Sequence, residues 1–150
     1  MIFNGANDLG TFLPPPWYSW LSKNPKTTVI VVDDDASIRR ALRTQLRALG
    51  FNVLVLQSGE ELLAGEIPVS DTCLLLDVWM PGMSGIELCR SLDASGRHLP
   101  TVLMSGLDDE RTAQMMREAN TVASLFKPFD EKQLMRAIRK ALSKGANLLH

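Results

Sequence analysis

The chain has 150 residues, of which 45% are hydrophobic, and this is enough for one ordinary folded domain and argues against disorder. Its 16 lysines and arginines are matched by 17 acidic residues, so we expect no direct nucleic-acid binding by this chain. No apolar run approaches the ~20 residues of a membrane span, and the N-terminus lacks a signal-peptide pattern, so we expect a cytoplasmic protein without membrane contact.

Residues 1–26 differ from the rest of the chain and are interpreted as an N-terminal extension. They contain the run Pro14-Pro15-Pro16, followed by Trp17, Tyr18 and Trp20, and they show no helical or strand periodicity. This segment is either a translation-start or cloning artefact, a tail folded back on its own domain, or a tail that docks a partner. We expect the domain itself to span residues 27–145 and a C-terminal tail to span residues 146–150.

From residue 27 onward, short apolar runs alternate with amphipathic segments. The first amphipathic segment repeats Ile38, Leu42 and Leu46 at helical spacing. Capping boxes at Ser58–Glu61 and Ser84–Glu87 predict two further helix starts. Asp108 or Asp109 can cap the fourth helix, and Asp130 to Gln133 is a weaker signal for the fifth.

The predicted strands are Val29–Val32, Phe51–Leu56, Cys73–Leu76, Thr101–Met104 and Val122–Phe126. Strict alternation predicts a doubly wound α/β domain with a five-stranded parallel sheet and five helices. Cys73 and Cys89 fall inside these elements and are expected to be reduced.

Four of the apolar runs stop at polar side chains that can carry chemistry. They end at Asp33-Asp34-Asp35, at Asp77, at Ser105 and at Lys127. In an open α/β sheet, reactive groups gather outside the carboxyl ends of the strands. We therefore expect several carboxylates, a hydroxyl and a lysine to meet in one crevice, which suits a divalent cation and a phosphoryl group.

The same residues carry a family resemblance. Residues 28–143 resemble the CheY-like receiver domain of two-component response regulators, and the Val-Asp-Asp-Asp start with Met-Ser-Gly most resembles the FixJ-like branch. The shared features are the acidic cluster, the turn from Asp77 to Gly85, the Ser105-Gly106 pair and the Lys127-Pro128-Phe129 run. The resemblance implies a flavodoxin-like strand order of 2-1-3-4-5. It also implies phosphoryl transfer from a sensor histidine kinase or phosphotransfer protein, and an unknown downstream protein as partner.

The chemistry assigns a role to each polar residue. Asp77 stands alone at the end of a central strand, and we expect it to be the phosphorylation site. Asp33, Asp34 and Asp77 can supply oxygen ligands to Mg²⁺, which offsets the repulsion between an anionic nucleophile and an anionic donor. Lys127 would pair with one phosphoryl oxygen and Ser105 would hydrogen-bond another. By resemblance, the main-chain carbonyl of Trp79 is a further metal ligand and the Lys127-Pro128 bond is cis.

The same residues are compatible with other interpretations. Asp35 is interpreted as a helix N-cap rather than as a metal ligand. The order Asp33-x-Asp35 also resembles haloacid-dehalogenase-like phosphatases, in which Asp33 would be the nucleophile and Asp35 the acid. A receiver-like scaffold that binds partners without phosphorylation is a third possibility. Because the chain ends soon after the last helix, we expect a single-domain regulator or a fragment of a longer one.

Two departures from the family pattern concern signal lifetime and readout. Trp79 and Leu107 are apolar where a polar side chain could orient an attacking water, so we expect slow loss of the phosphoryl group. Ser124 stands where many receivers carry a switching aromatic residue. Phe126 is then either an exposed anchor for a partner or a residue packed against a neighbouring helix.

Overall fold

The structure is a computed structural model that describes residues 27–67 and 71–148, with side chains up to residue 145. The extension predicted for residues 1–26 lies outside the described residues, as do residues 149 and 150 of the predicted tail. The strands are β1 (Thr28–Val32), β2 (Asn52–Leu56), β3 (Thr72–Asp77), β4 (Thr101–Ser105) and β5 (Ala123–Phe126). All neighbouring strands pair in parallel, in the order β2-β1-β3-β4-β5. The predicted fold and strand order are confirmed.

The helices are α1 (Ala36–Ala48), α2 (Gly59–Ala64), α3 (Gly85–Ala94), α4 (Glu110–Glu118) and α5 (Glu131–Leu148). The backbone of α5 thus continues beyond the predicted domain boundary at residue 145. β2 starts one residue later than predicted, because the Phe51 N–H donates to the Leu46 carbonyl and closes the end of α1. Across the described ranges, no helix is both long and apolar enough to cross a membrane.

Side chains at the helix starts satisfy the free N–H groups, as the sequence predicts. Asp35 caps α1, Ser58 caps α2 and Asp109 caps α4. Both halves of the capping box form at Ser84, which accepts from the Glu87 N–H while the Glu87 carboxylate accepts from the Ser84 N–H. Asp109, rather than Asp108, is therefore the cap of α4.

The sheet separates two apolar cores. Val29 and Val31 of β1 face α1 and α5, whereas Ile30 and Val32 face α2, α3 and α4. Both faces of β1 are thus covered, which explains why its apolar run is continuous rather than alternating. Leu76, the residue before Asp77 at the end of β3, is fully buried. The two cores fix the carboxyl edge of the sheet from both sides.

Neither cysteine is bonded to another sulfur. Burial raises the pKa of Cys73 to about 12 and, with the nearby Asp93 charge, that of Cys89 to about 11. Both thiols stay protonated at neutral pH, as expected for reduced structural cysteines.

Candidate functional site

The carboxyl edge of the sheet brings three of the predicted residues into direct contact. Asp33 follows β1, Asp77 ends β3 and Lys127 follows β5. The Lys127 Nζ lies 2.7 Å from Asp33 Oδ2 and 3.3 Å from Asp77 Oδ1. These residues are 94 and 50 positions apart in sequence, so the parallel sheet alone accounts for their meeting. One ammonium group therefore neutralises part of the charge of two buried carboxylates.

Asp33, Asp34 and Asp77 form an acidic cluster whose ligand oxygens all lie within 4.8 Å of one another. Asp33 and Asp77 are buried, and Asp34 is exposed. Carboxylate oxygens are the donors that Mg²⁺ prefers, and this ion commonly binds one or two carboxylates while keeping several waters. The three side chains therefore fit a magnesium ion by donor type and spacing.

The turn after β1 holds Asp33 in place. The carboxylate Oδ1 of Asp33 accepts from the Asp35 N–H at 2.9 Å, and the Arg39 guanidinium donates to the main-chain oxygen of Asp33 at 2.8 Å. Asp35 itself accepts from the main-chain N–H groups of Ser37 and Ile38, at 2.8 and 3.4 Å. Its predicted role as a cap is confirmed, and hydrogen bonds from Ser37 lower the pKa of Asp35.

Arg39 is a residue that the sequence analysis did not single out. In sequence it is one of four arginines in α1, and nothing in their spacing distinguishes it from the others. Only the fold of the β1–α1 turn brings its guanidinium to a main-chain carbonyl beside the acidic cluster.

The surroundings of Asp77 change the pKa of its carboxyl group. Burial, together with the neighbouring Asp33 charge, raises the pKa of Asp77 to about 6, although Lys127 opposes the change. Burial by itself lowers the pKa of Lys127, but the hydrogen bond to Asp33 and the charges of Asp77 and Asp33 outweigh it and leave that pKa raised. Lys127 is therefore a fixed cation at neutral pH, and Asp77 is a buried carboxylate whose pKa Lys127 lowers only in part.

Ser105 ends β4 beside the cluster and is fully buried. Its hydroxyl donates to the Leu107 carbonyl at 3.0 Å and accepts from the Leu107 N–H at 2.9 Å. The hydroxyl is thus bonded to its own loop, and the phosphoryl contact predicted for it stays a prediction. Any hydrogen bond that it donates towards Asp77 must replace the one to Leu107, because a hydroxyl has a single proton to donate.

Trp79 lies in the β3–α3 loop, residues 78–84. Its indole N–H donates to the Thr112 hydroxyl at 3.1 Å, so the side chain reaches α4. The role predicted for its main-chain carbonyl stays a prediction. Thr112 is another residue that sequence analysis missed, since a threonine in the first turn of a helix carries no distinctive signal. The Lys127-Pro128 peptide bond is cis, as the resemblance implies.

The two residues considered for readout have different environments. Ser124 is exposed on β5. Phe126 is half-buried and packs against the core that β5 shares with α3 and α4. This packing is the second of the two alternatives considered for Phe126, and the exposed-anchor interpretation does not fit it.

Residues 29–139 match the family described as the response regulator receiver domain. The chain belongs to this family. Relatives include the transcriptional regulatory protein FixJ of Azorhizobium caulinodans, which is 34% identical over 118 residues, covering 79% of this chain and 56% of FixJ. Nodulation protein W of Bradyrhizobium diazoefficiens is 34% identical over 113 residues, covering 75% of this chain and 50% of the relative.

Solved structures agree with the sequence relatives. The crystal structure of FixJ-N superposes with a TM-score of 0.73 at 34% identity, covering 79% of this chain and 94% of FixJ-N. Response regulator StyR gives a TM-score of 0.73 at 41% identity, covering 81% of this chain and 62% of StyR. The resemblance to the FixJ-like branch is confirmed, and the receiver function is supported over the phosphatase and scaffold alternatives. The chain spans about half the length of the relatives FixJ and nodulation protein W.

Proposed function

We propose that this receiver domain accepts a phosphoryl group on Asp77. Asp77 ends the central strand β3, and its carboxylate lies 3.3 Å from the Lys127 ammonium. Burial, together with the neighbouring Asp33 charge, raises the pKa of Asp77 although Lys127 opposes the change. Converting this carboxylate into an acyl phosphate places new oxygens within reach of the cation. The contact of the Lys127 ammonium with Asp77, the member of the acidic cluster that ends the central strand, is the observation that carries the proposal.

Asp33, Asp34 and Asp77 are the side chains that would hold Mg²⁺, with the Trp79 carbonyl as a further ligand. When bound, Mg²⁺ supplies positive charge that lowers the repulsion between the carboxylate and an incoming phosphoryl group. Asp33 is oriented for this role by the Asp35 N–H and by Arg39. Such supporting contacts commonly set ligand geometry and affinity.

Lys127 and Ser105 complete the proposed site. The ammonium of Lys127 already contacts Asp77 and would pair with a phosphoryl oxygen at that position. The Ser105 hydroxyl would donate to a second phosphoryl oxygen after it gives up the Leu107 carbonyl. Exchange of this hydrogen bond would connect phosphorylation to the β4–α4 loop, residues 106–109.

The decisive experiment is incubation of the chain with acetyl phosphate and Mg²⁺, followed by intact-mass measurement. We expect a magnesium-dependent gain of one phosphoryl group that Asp77→Asn abolishes. The matched control is Asp93→Asn, which changes an exposed carboxylate on α3 outside the acidic cluster. Labelling that survives Asp77→Asn but is lost in Asp33→Asn would contradict the proposal and favour the phosphatase chemistry.

The phosphoryl donor in the cell is proposed to be a sensor histidine kinase or a phosphotransfer protein, and the recipient of the signal is a downstream protein or further domain. We propose that this takes place in the cytoplasm and that the phosphoryl group is lost slowly. Radiolabelled histidine kinase domains, mixed one at a time with the chain, test the donor. Rapid transfer from one kinase that fails with Asp77→Asn identifies the partner.

A further inference from the structure

The indole of Trp79 ties the β3–α3 loop to the first turn of α4. Its N–H donates to the Thr112 hydroxyl at 3.1 Å. Thr112 is almost completely buried, with 1% of its surface exposed, whereas Trp79 keeps 36% exposed. The guanidinium carbon of Arg111 lies 5.9 Å from the centre of the indole ring, within range of a cation–π contact. Two consecutive residues of α4 therefore hold the same tryptophan side chain.

Thr112 also holds the end of the β4–α4 loop. The Thr112 N–H donates to the Asp109 carboxylate at 2.7 Å, which makes Asp109 the cap of α4. The other end of this loop is held by Ser105 through its two hydrogen bonds to Leu107. The residues between these anchors, 106–108, are exposed. The Ser105 hydroxyl at one end and the Thr112 main-chain N–H at the other thus fix a short loop whose side chains are exposed.

Phosphorylation would act on both anchors. At one end, the Ser105 hydroxyl must release the Leu107 carbonyl before it can donate to a phosphoryl oxygen. At the other end, Trp79 lies only two residues after Asp77, so a group added to Asp77 bears directly on the loop that carries the indole. Ser124 is exposed and small, and it offers no bulky side chain whose burial could report the change.

We propose that the hydrogen bond from Trp79 to Thr112 restrains α4 in its unphosphorylated position, and that phosphorylation of Asp77 releases it. Trp79 is in this sense a positioning residue: it acts on α4 and on the β4–α4 loop through Thr112. The inference rests on the function proposed above. It adds a route from the site to α4 that does not depend on the residue at position 124.

A double-mutant cycle tests the restraint in the full chain. Trp79→Phe keeps an aromatic ring but removes the N–H donor, and Thr112→Val keeps the shape but removes the acceptor. The readout is the apparent affinity for beryllofluoride, a phosphoryl mimic, measured by fluorine NMR with Mg²⁺ present. If the bond belongs to the unphosphorylated state, each substitution raises the affinity by ~2–10-fold, the range expected from the net strength of one hydrogen bond. The double variant then matches either single variant, because both remove the same bond.

Thr112→Ser is the matched control. It keeps the hydroxyl and should retain the wild-type affinity, which separates loss of the bond from general damage to α4. A merely structural role for Thr112 would weaken beryllofluoride binding or leave it unchanged. Unchanged or weakened binding in Trp79→Phe and Thr112→Val, or fully additive effects in the double variant, would overturn the inference while the proposed function stands. Absence of binding by the wild-type chain would overturn both.

Tryptophan fluorescence gives an independent readout. In a chain carrying Trp17→Phe and Trp20→Phe, Trp79 is the remaining tryptophan of the sequence. Beryllofluoride should shift its emission as the indole N–H leaves Thr112 for water. The shift should be much smaller when Thr112→Val is added, because the bond is then already absent. Equal shifts with and without Thr112 as acceptor would count against the restraint.

Discussion

Gly85 lies directly against the main-chain carbonyl of Asp77, and a Cβ atom at position 85 would overlap that oxygen. The Gly85 N–H also donates to the Val78 carbonyl at 2.9 Å, which draws the start of α3 onto the end of β3. Glycine is required here by space, since the neighbour is backbone and cannot turn aside. The loop that carries Trp79 is closed by this contact.

Gly85→Ala is therefore expected to destabilise the domain. Overpacking of this kind costs about 1–3 kcal/mol, because the backbone on one side has to move. Urea unfolding measures the change. Gly65→Ala is the matched control, since a Cβ there would make only an ordinary 3.6 Å contact with the Glu61 carbonyl. A loss of stability no greater than in the control would show that the loop adjusts without strain.

Stability without metal should fall as the pH rises through the pKa of Asp77. The folded value is about 6 and the ordinary value is 3.8, so the folded state binds more protons between them. The contribution of Asp77 to the free energy of unfolding is complete below the ordinary pKa and is lost as the pH rises through the folded pKa. We therefore compare the free energy of unfolding of Asp77→Asn with that of wild type at each pH. This difference should shift in favour of the variant by about 2 kcal/mol from acidic to neutral pH.

Urea titrations in EDTA across this pH range provide the measurement. Asp109→Asn is the control, because the stability that Asp109 contributes should change with pH in the opposite direction. Hydrogen bonds from Thr112 lower the pKa of Asp109, so its contribution is lost as the pH falls. A difference between wild type and Asp77→Asn that stays constant with pH would contradict the raised pKa.

Lys127→Met should be strongly destabilising at neutral pH in the absence of metal. It leaves Asp33 and Asp77 buried without their shared cation, and breaking such a pair costs about 3–5 kcal/mol. Arg117→Met is the control, because its 3.1 Å ion pair with Glu110 has 62% and 86% of the two side chains exposed. Exposed pairs are worth less than about 1 kcal/mol. Thermal unfolding of both variants distinguishes them, and similar losses would refute the burial argument.

Arg39→Ala should weaken magnesium binding by about tenfold, the scale seen when groups that orient metal ligands are removed. The guanidinium holds the Asp33 carbonyl, and without it the turn that presents Asp33 and Asp34 loses an anchor. Arg40→Ala removes the same charge from an exposed neighbouring position and corrects for the general electrostatic effect. Calorimetric titration with Mg²⁺ compares the two, and equal affinities would mean that Arg39 acts only as a charge.

Leu107→Asn should shorten the lifetime of the phosphorylated chain by several-fold. Leu107 follows Ser105 by two residues and is 52% exposed, so a polar side chain there could orient a water towards the acyl phosphate. Leu54→Asn changes another exposed leucine, on β2, and should leave the decay unchanged. Intact mass measured over time after removal of acetyl phosphate follows the loss. Identical rates of phosphoryl loss in both variants would show that the side chain at position 107 does not control the lifetime.

Much of the fold and of the candidate site could be predicted from the sequence, because the signals for strands and helix starts lie within short stretches of the chain. An apolar run buried on both faces, a cap and a glycine are each recognisable within a few residues. The chain order of Asp33, Asp77, Ser105 and Lys127, each at a strand end, then predicts one shared edge. Because parallel strands carry their reactive groups at the carboxyl edge of the sheet, these residues are predicted to form one site.

Only the tertiary structure decided how those side chains divide their hydrogen bonds. Lys127 contacts Asp33 more closely than Asp77, Ser105 is bonded to its own loop, and Arg39 supports a carbonyl that no spacing rule connects with it. The contact between Trp79 and Thr112 joins residues 33 positions apart through the packing of α4 on the sheet. Sequence periodicity determines which face of an element is buried, but the partner of each polar group depends on distances between elements, and these exist only once the sheet and helices have packed.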